Sequence, residues 1–108
     1  MAEPIAHSSE TPEIRSPEVE KLLRVLASME DEDTIYALLE DMFTIREIRE
    51  TSQRLEVAQM LDQGKSYSQI EAATGASATT IARVSKCLSH GSGGYRHALE
   101  ILAKPKDR

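Results

Sequence analysis

Residues 66–88, SYSQIEAATGASATTIARVSKCL, read as two short helices joined by a tight turn at glycine. Ser66 is placed to cap the first helix, and Gln69, three residues on, can reach back to it and complete a capping box. Gly75 falls where a chain leaving that helix must turn sharply, a conformation that a residue without Cβ adopts at low cost. Ser77 can then cap a second helix that carries Ile81, Val84 and Leu88 on one side. A helix, a short turn containing Gly and a second capped helix make the helix-turn-helix unit, whose second helix enters the DNA major groove.

The remainder of the 108-residue chain is consistent with one small helical domain. Aromatic residues make up only 4% and Trp is absent, so Ala, Leu, Ile, Val and Met must supply the core, which suits packed helices better than a sheet. A chain of this size gains from dimerisation, because a partner's surface extends a small core. The single Cys87 allows no intrachain disulfide, and no segment has the character of a signal peptide or a membrane span, so a reducing cytoplasm is the expected setting.

The net charge of −5 conceals an asymmetry that matters for partners. Residues 1–50 hold 5 Lys/Arg against 13 Asp/Glu, whereas residues 51–108 hold 8 against 5. The half that contains the helix-turn-helix is therefore mildly basic and can present a positive face to phosphate while the acidic half keeps the protein soluble. The plainer account, ordinary solvated surface charge, explains the same numbers without a partner.

Residues 1–15, MAEPIAHSSETPEIR, lack apolar periodicity and carry two prolines, which predicts a disordered arm. His7 lies there without a companion metal ligand. Ser16-Pro17-Glu18 opens a helix with a capping hydroxyl, Pro at the first position and an acid in the first turn. Val19, Leu22, Leu23, Leu26 and Met29 follow on helical spacing. The acids 30–33 lead into a second helix with a stripe of Ile35, Leu38, Leu39 and Met42; they lack the ligand spacing and turn glycine of an EF-hand loop. Thr44 and Glu47 form a second capping box that starts a long third helix. Ile45, Ile48, Leu55, Val57, Ala58 and Leu61 are its apolar residues, and Gly64 stops it. After the helix-turn-helix, residues 90–94 (HGSGG) make a glycine-rich break, which is no phosphate loop because neither a preceding strand nor a Lys-Ser/Thr pair accompanies it. A last helix runs over residues 95–102. The expectation is an all-α fold of about six helices, with a domain over residues 16–104.

The chain resembles the Trp-repressor superfamily, and within it the small YerC/YecD-type Trp-repressor-related proteins of bacteria. The match is carried by Phe43-Thr44, Arg46-Glu47, the segment QRLEVA at residues 53–58, Met60-Leu61, Gly64, Tyr67, Ile70, TGAS at residues 74–77, residues 79–84 and Cys87-Leu88. It covers about residues 18–102 and excludes the N-terminal arm. QRLEVA paired with TGAS-x-TTI-x-RV is specific; a helix-turn-helix alone is shared by many unrelated regulators. The resemblance implies an intertwined homodimer in which the N-terminal helices of each chain wrap the other. It also implies two reading units about one DNA turn apart on a palindromic operator of double-stranded DNA.

DNA reading should come from the start of the second helix, where Ala78, Thr79 and Thr80 can meet base edges or thymine methyls. Ser77 divides its duty between capping and phosphate. Lys65, Ser68, Gln69, Arg83 and Lys86 are the candidates for phosphate contact. Each is also an ordinary residue for an exposed helix surface, and most surface lysines touch nothing. Asn is absent and no Arg lies in the first turn of the reading helix, so specificity is expected to be weak or dependent on DNA shape. About four or five cations per subunit near DNA give a shallow salt dependence.

In the Trp repressor two arginines sandwich the indole of the corepressor, and Arg54 and Arg83 match them, with Thr44 matching a pocket-lining residue. Guanidinium stacking on an aromatic is physically sound. Val84, however, stands where the repressor has Gly, and it shares the apolar stripe of Ile81 and Leu88. The expectation is a pocket closed to tryptophan or altered for another effector. Arg54 would then pair with an acid such as Glu40 or Asp41, and Arg83 would reach phosphate.

The leading expectation is thus a dimeric, nucleoid-associated DNA-binding regulator, most simply a repressor, acting without tryptophan. The alternatives are an adaptor that uses the same helices for protein contacts and an effector-responsive repressor with a small molecule near Arg54 and Arg83. An enzyme is not expected. His7, His90 and His97 have no metal-site spacing, Cys87 beside Leu88 reads as a buried thiol without a resolving partner, and Ser-His adjacency around residues 85–92 does not make a dyad.

Overall fold

A computed structural model describes residues 14–106, which form six α-helices and no strand. The expected arm, apart from residues 14 and 15, lies outside the described residues, as does His7. The chain divides into two compact units, residues 14–50 and residues 51–106, with the division inside the third helix.

In the first unit, α1 (Pro17–Ser28) begins as its sequence dictates: the Ser16 hydroxyl accepts from the Val19 amide and Pro17 occupies the first turn. Arg15 clasps the Glu20 carboxylate through Nε and Nη2 at 2.8 and 3.0 Å, and that hydrogen bond holds the Glu20 carboxyl below its ordinary pKa. The acids that precede α2 (Glu32–Met42) supply its cap. Asp31 accepts from the Thr34 amide and hydroxyl, which gives the acidic run a helix-capping role. Neither helix contains a buried residue. The stripes expected to form a core are half-buried at Leu22, Leu26, Ile35, Leu38 and Leu39, and exposed at Leu23 and Met42.

The long helix α3 (Ile45–Asp62) starts on the expected capping box. The Glu47 amide donates to the Thr44 hydroxyl at 3.1 Å, and the Thr44 amide donates to the Glu47 carboxylate at 2.9 Å. Its end is a Schellman turn: the Lys65 amide reaches Met60 O and the Gly64 amide reaches Leu61 O, with Gly64 at φ +81°. Only Val57 and Ala58 of this helix are buried. Ile45, expected on the apolar side, is 70% exposed, since the helix buries only the part that belongs to the second unit.

The second unit holds the core. Val57 and Ala58 of α3, Ile70 of α4 (Tyr67–Thr74), Ala76 of the turn, and Ile81 and Val84 of α5 (Ala78–His90) form one buried cluster. Met60, Leu61 and Tyr95 pack against it. The last helix, α6 (Gly94–Ala103), starts from Gly93 at φ +90° and buries Leu99. Arg96 of α6 bridges to Asp62 at the end of α3 at 2.7 Å, an exposed pair worth no more than about 1 kcal/mol.

Candidate nucleic-acid interface

The helix-turn-helix is built by local bonds that the sequence prescribes. Ser66 accepts from the Gln69 amide at 3.1 Å while Gln69 Oε1 accepts from the Ser66 amide at 2.8 Å, so α4 opens on a complete capping box. Gly75 closes α4 in the left-handed region at φ +76°, its amide bonded to Glu71 O. The Thr74 hydroxyl strengthens the turn by donating to Ile70 O at 2.7 Å and accepting from the Ala76 amide at 3.1 Å. Ser77 then caps α5, accepting from the Thr80 amide at 3.1 Å.

One tie comes from outside the motif. Gln53 of α3 donates its amide to the carbonyl of Thr74 at 3.0 Å, across 21 residues. It belongs to the QRLEVA segment, yet nothing in the sequence assigned it a role; only the long-range contact does. Gln53→Ala leaves a half-buried carbonyl without its partner and is expected to cost about 1 kcal/mol. Urea unfolding should show the midpoint falling with the slope unchanged.

The expected DNA residues all lie in the second unit. Lys65, Ser68, Ala78, Thr79, Arg83 and Lys86 are exposed. Gln69 and Ser77 are exposed too, but each is engaged in a cap. Thr80 is half-buried, and its hydroxyl meets that of Ser77 at 3.2 Å. The three expected effector residues also have local settings. The Thr44 hydroxyl caps α3, Arg54 donates to the Thr51 hydroxyl at 3.3 Å, and Arg83 is exposed beside Val84, which is 2% exposed within the core.

Cys87 requires a correction: its thiol is exposed, not buried. It lies about 60° around α5 from Val84, at 100° per residue, on the side of Arg83 and away from Leu88. Among the described residues no group of three or more His, Cys, Asp or Glu side chains could hold a metal ion, and no helix is long and apolar enough to cross a membrane. His97 stands 3.6 Å from Glu100, one turn along α6.

The first unit presents a different surface. Tyr36, Glu40, Phe43, Ile45, Ile48 and Arg49 line a groove of about 540 Å³ at the α2–α3 corner.

A model of the family described as Trp repressor protein matches residues 17–103. The uncharacterised protein YerC of Bacillus subtilis (strain 168) is 42% identical over 87 residues, which are 81% of this chain and 84% of YerC. The crystal structure of a TrpR-like protein from Eubacterium eligens ATCC 27750 superposes with a TM-score of 0.80 at 39% identity, covering 87% of this chain and 97% of that one. A candidate Trp repressor from Staphylococcus aureus gives a TM-score of 0.79 at 33% identity, with 87% and 94% covered.

Proposed function

The chain belongs to the Trp repressor family, and from that premise we propose that it is a transcriptional regulator that binds double-stranded DNA as a homodimer, with α5 as the reading helix. The observation that carries this reading is the capped α4–turn–α5 unit, in which the solvent face of α5 holds Thr79, Arg83 and Lys86 and no acid. Repression is its simplest outcome, since a small dimer on a palindrome acts by occupying the site. A cytoplasmic, nucleoid-associated setting follows from the same reading.

The test is a titration of the purified protein against genomic DNA fragments at low and moderate salt, with the retained fragments sequenced. A palindrome with half-sites about one helical turn apart is the expected result. Absence of retention even at low salt would replace this reading with a protein-binding adaptor. Lys65, Arg83 and Lys86 are the cations on the helix-turn-helix, so a dimer brings about six to DNA and can place no more than that on phosphate. The slope of log K against log salt should therefore be no steeper than about −5. Filter binding from 50 to 200 mM salt measures it, and a slope near zero would count against this surface.

We further propose that the regulator works without tryptophan. Val84 is in the core cluster at the position where the repressor has Gly, so its isopropyl group is committed to packing and cannot be moved aside without opening a void. Calorimetry with tryptophan should show no binding at micromolar concentrations. Micromolar heat would place the indole between Arg54 and Arg83 after all.

A further inference from the structure

The solvent face of α5 is short of groups that can tell one base pair from another. Of its first-turn hydroxyls, Ser77 is spent on the helix cap and Thr80 is half-buried against Ser77. Ala78 and Ala82 offer only methyl groups, and Thr79 keeps the one exposed hydroxyl of the first turn. Four residues on, Arg83 stands within about 40° of Thr79 around the helix, on the side opposite Ile81 and Val84. Its guanidinium is exposed, makes no hydrogen bond or ion pair among the described residues, and shares α5 with no carboxylate.

Resting on the DNA-binding reading above, we infer that Arg83 is the specificity-determining residue of this helix and that it reads a guanine in each half-site. Three features point to the base and away from the phosphates. Arg83 lies on the exposed face with Thr79 and Cys87 each about 40° from it around the helix, one on either side and both small, so the helix can approach base edges closely there. The planar fork donates two parallel hydrogen bonds, which match the O6 and N7 acceptors of guanine in the major groove. Lys65 and Lys86 already supply point charges for the backbone, a task that needs no fork. Ala78 and Thr79, one turn earlier, then favour a neighbouring thymine through its methyl group.

The experiment compares the full-length protein with Arg83→Lys and Arg83→Ala by selection from a randomised duplex library and by filter binding. The wild type is expected to require guanine at one position in each half-site. Arg83→Lys keeps the charge but not the fork, so preference at that position should fall by roughly five- to a hundred-fold while affinity for nonspecific duplex changes less than about twofold. Because the side chain is exposed, both variants should melt with the wild type, and circular dichroism checks that they do. The inference is overturned if Arg83→Lys retains every base preference and Arg83→Ala weakens all sequences equally with a shallower salt slope, which is the behaviour of a phosphate contact. A wild type that binds no duplex at low salt would overturn the DNA-binding reading itself, an outcome distinct from loss of the guanine alone.

Discussion

Ile81→Ala is expected to destabilise the second unit by about 2–5 kcal/mol, a large share of the about 5–15 kcal/mol that holds a small domain together. Ile81 is fully buried and sits in one cluster with Val57 and Ala58 of α3, Ile70 of α4 and Val84 of α5. The truncation removes the transfer energy of three carbons and leaves a cavity that three helices, fixed by their caps and by the Gln53–Thr74 bond, cannot collapse to fill. Urea unfolding should therefore show a much lower midpoint. Thr79→Ala, two residues away on the solvent face, should stay within about 0.5 kcal/mol of the wild type. Equal midpoints for the two variants would mean that α5 is not anchored through this cluster. DNA binding by Ile81→Ala, measured well below its melting temperature, should fall only as far as the folded fraction falls, because Ile81 points away from the face proposed to meet DNA.

What the sequence discloses about this molecule follows the range of the interactions. Caps are local: Ser16, Thr44 with Glu47, Ser66 with Gln69, and Ser77 all do what their spacing prescribes, because each bond closes within three residues. Gly64 and Gly75 mark turns that need a left-handed residue, and both have it. For that reason six helices and a helix-turn-helix are legible from residue order. Burial is not local. Periodicity shows that α1 and α2 have an apolar side but not what covers it, and in the chain that side is only half-buried, with Leu23 and Met42 exposed. Cys87 reads as buried from its neighbour Leu88, but consecutive helical residues stand about 100° apart, so adjacency in sequence does not give a shared face. The Gln53–Thr74 bond spans 21 residues and has no local signature. At the candidate interface the exposed side chains were legible as a set. Which hydroxyls were already engaged was not, since Thr80 is withdrawn by its contact with Ser77.

If the proposed homodimer forms through the first unit, Ile45→Asp is expected to convert it to monomer at micromolar concentration and to lower its affinity for a palindromic site by about 10²–10⁴-fold. The first unit buries nothing in α1 or α2, while Leu23, Tyr36, Met42, Phe43 and Ile45 lie 38–70% exposed and part of this surface forms the groove at the α2–α3 corner. Single exposed apolar residues are ordinary, but a helix pair with no interior of its own is not, and a second copy of the chain is the simplest cover. Ile45 isolates that question. As the first residue of α3 it lies at a helix N-terminus, where a carboxylate is favoured by the helix dipole, so the substitution does not harm the helix within one chain. In a dimer the same carboxylate would lie against apolar groups and lose its water, at a cost of several kcal/mol. Two half-sites bound by one dimer share an effective concentration, so loss of the pairing removes that gain in a single step. Sedimentation should report the halved mass, and the wild-type melting temperature should rise with protein concentration while that of the variant does not. If Ile45→Asp keeps the mass, the concentration dependence and the DNA affinity of the wild type, this surface does not join two chains, and its apolar face must meet some other partner.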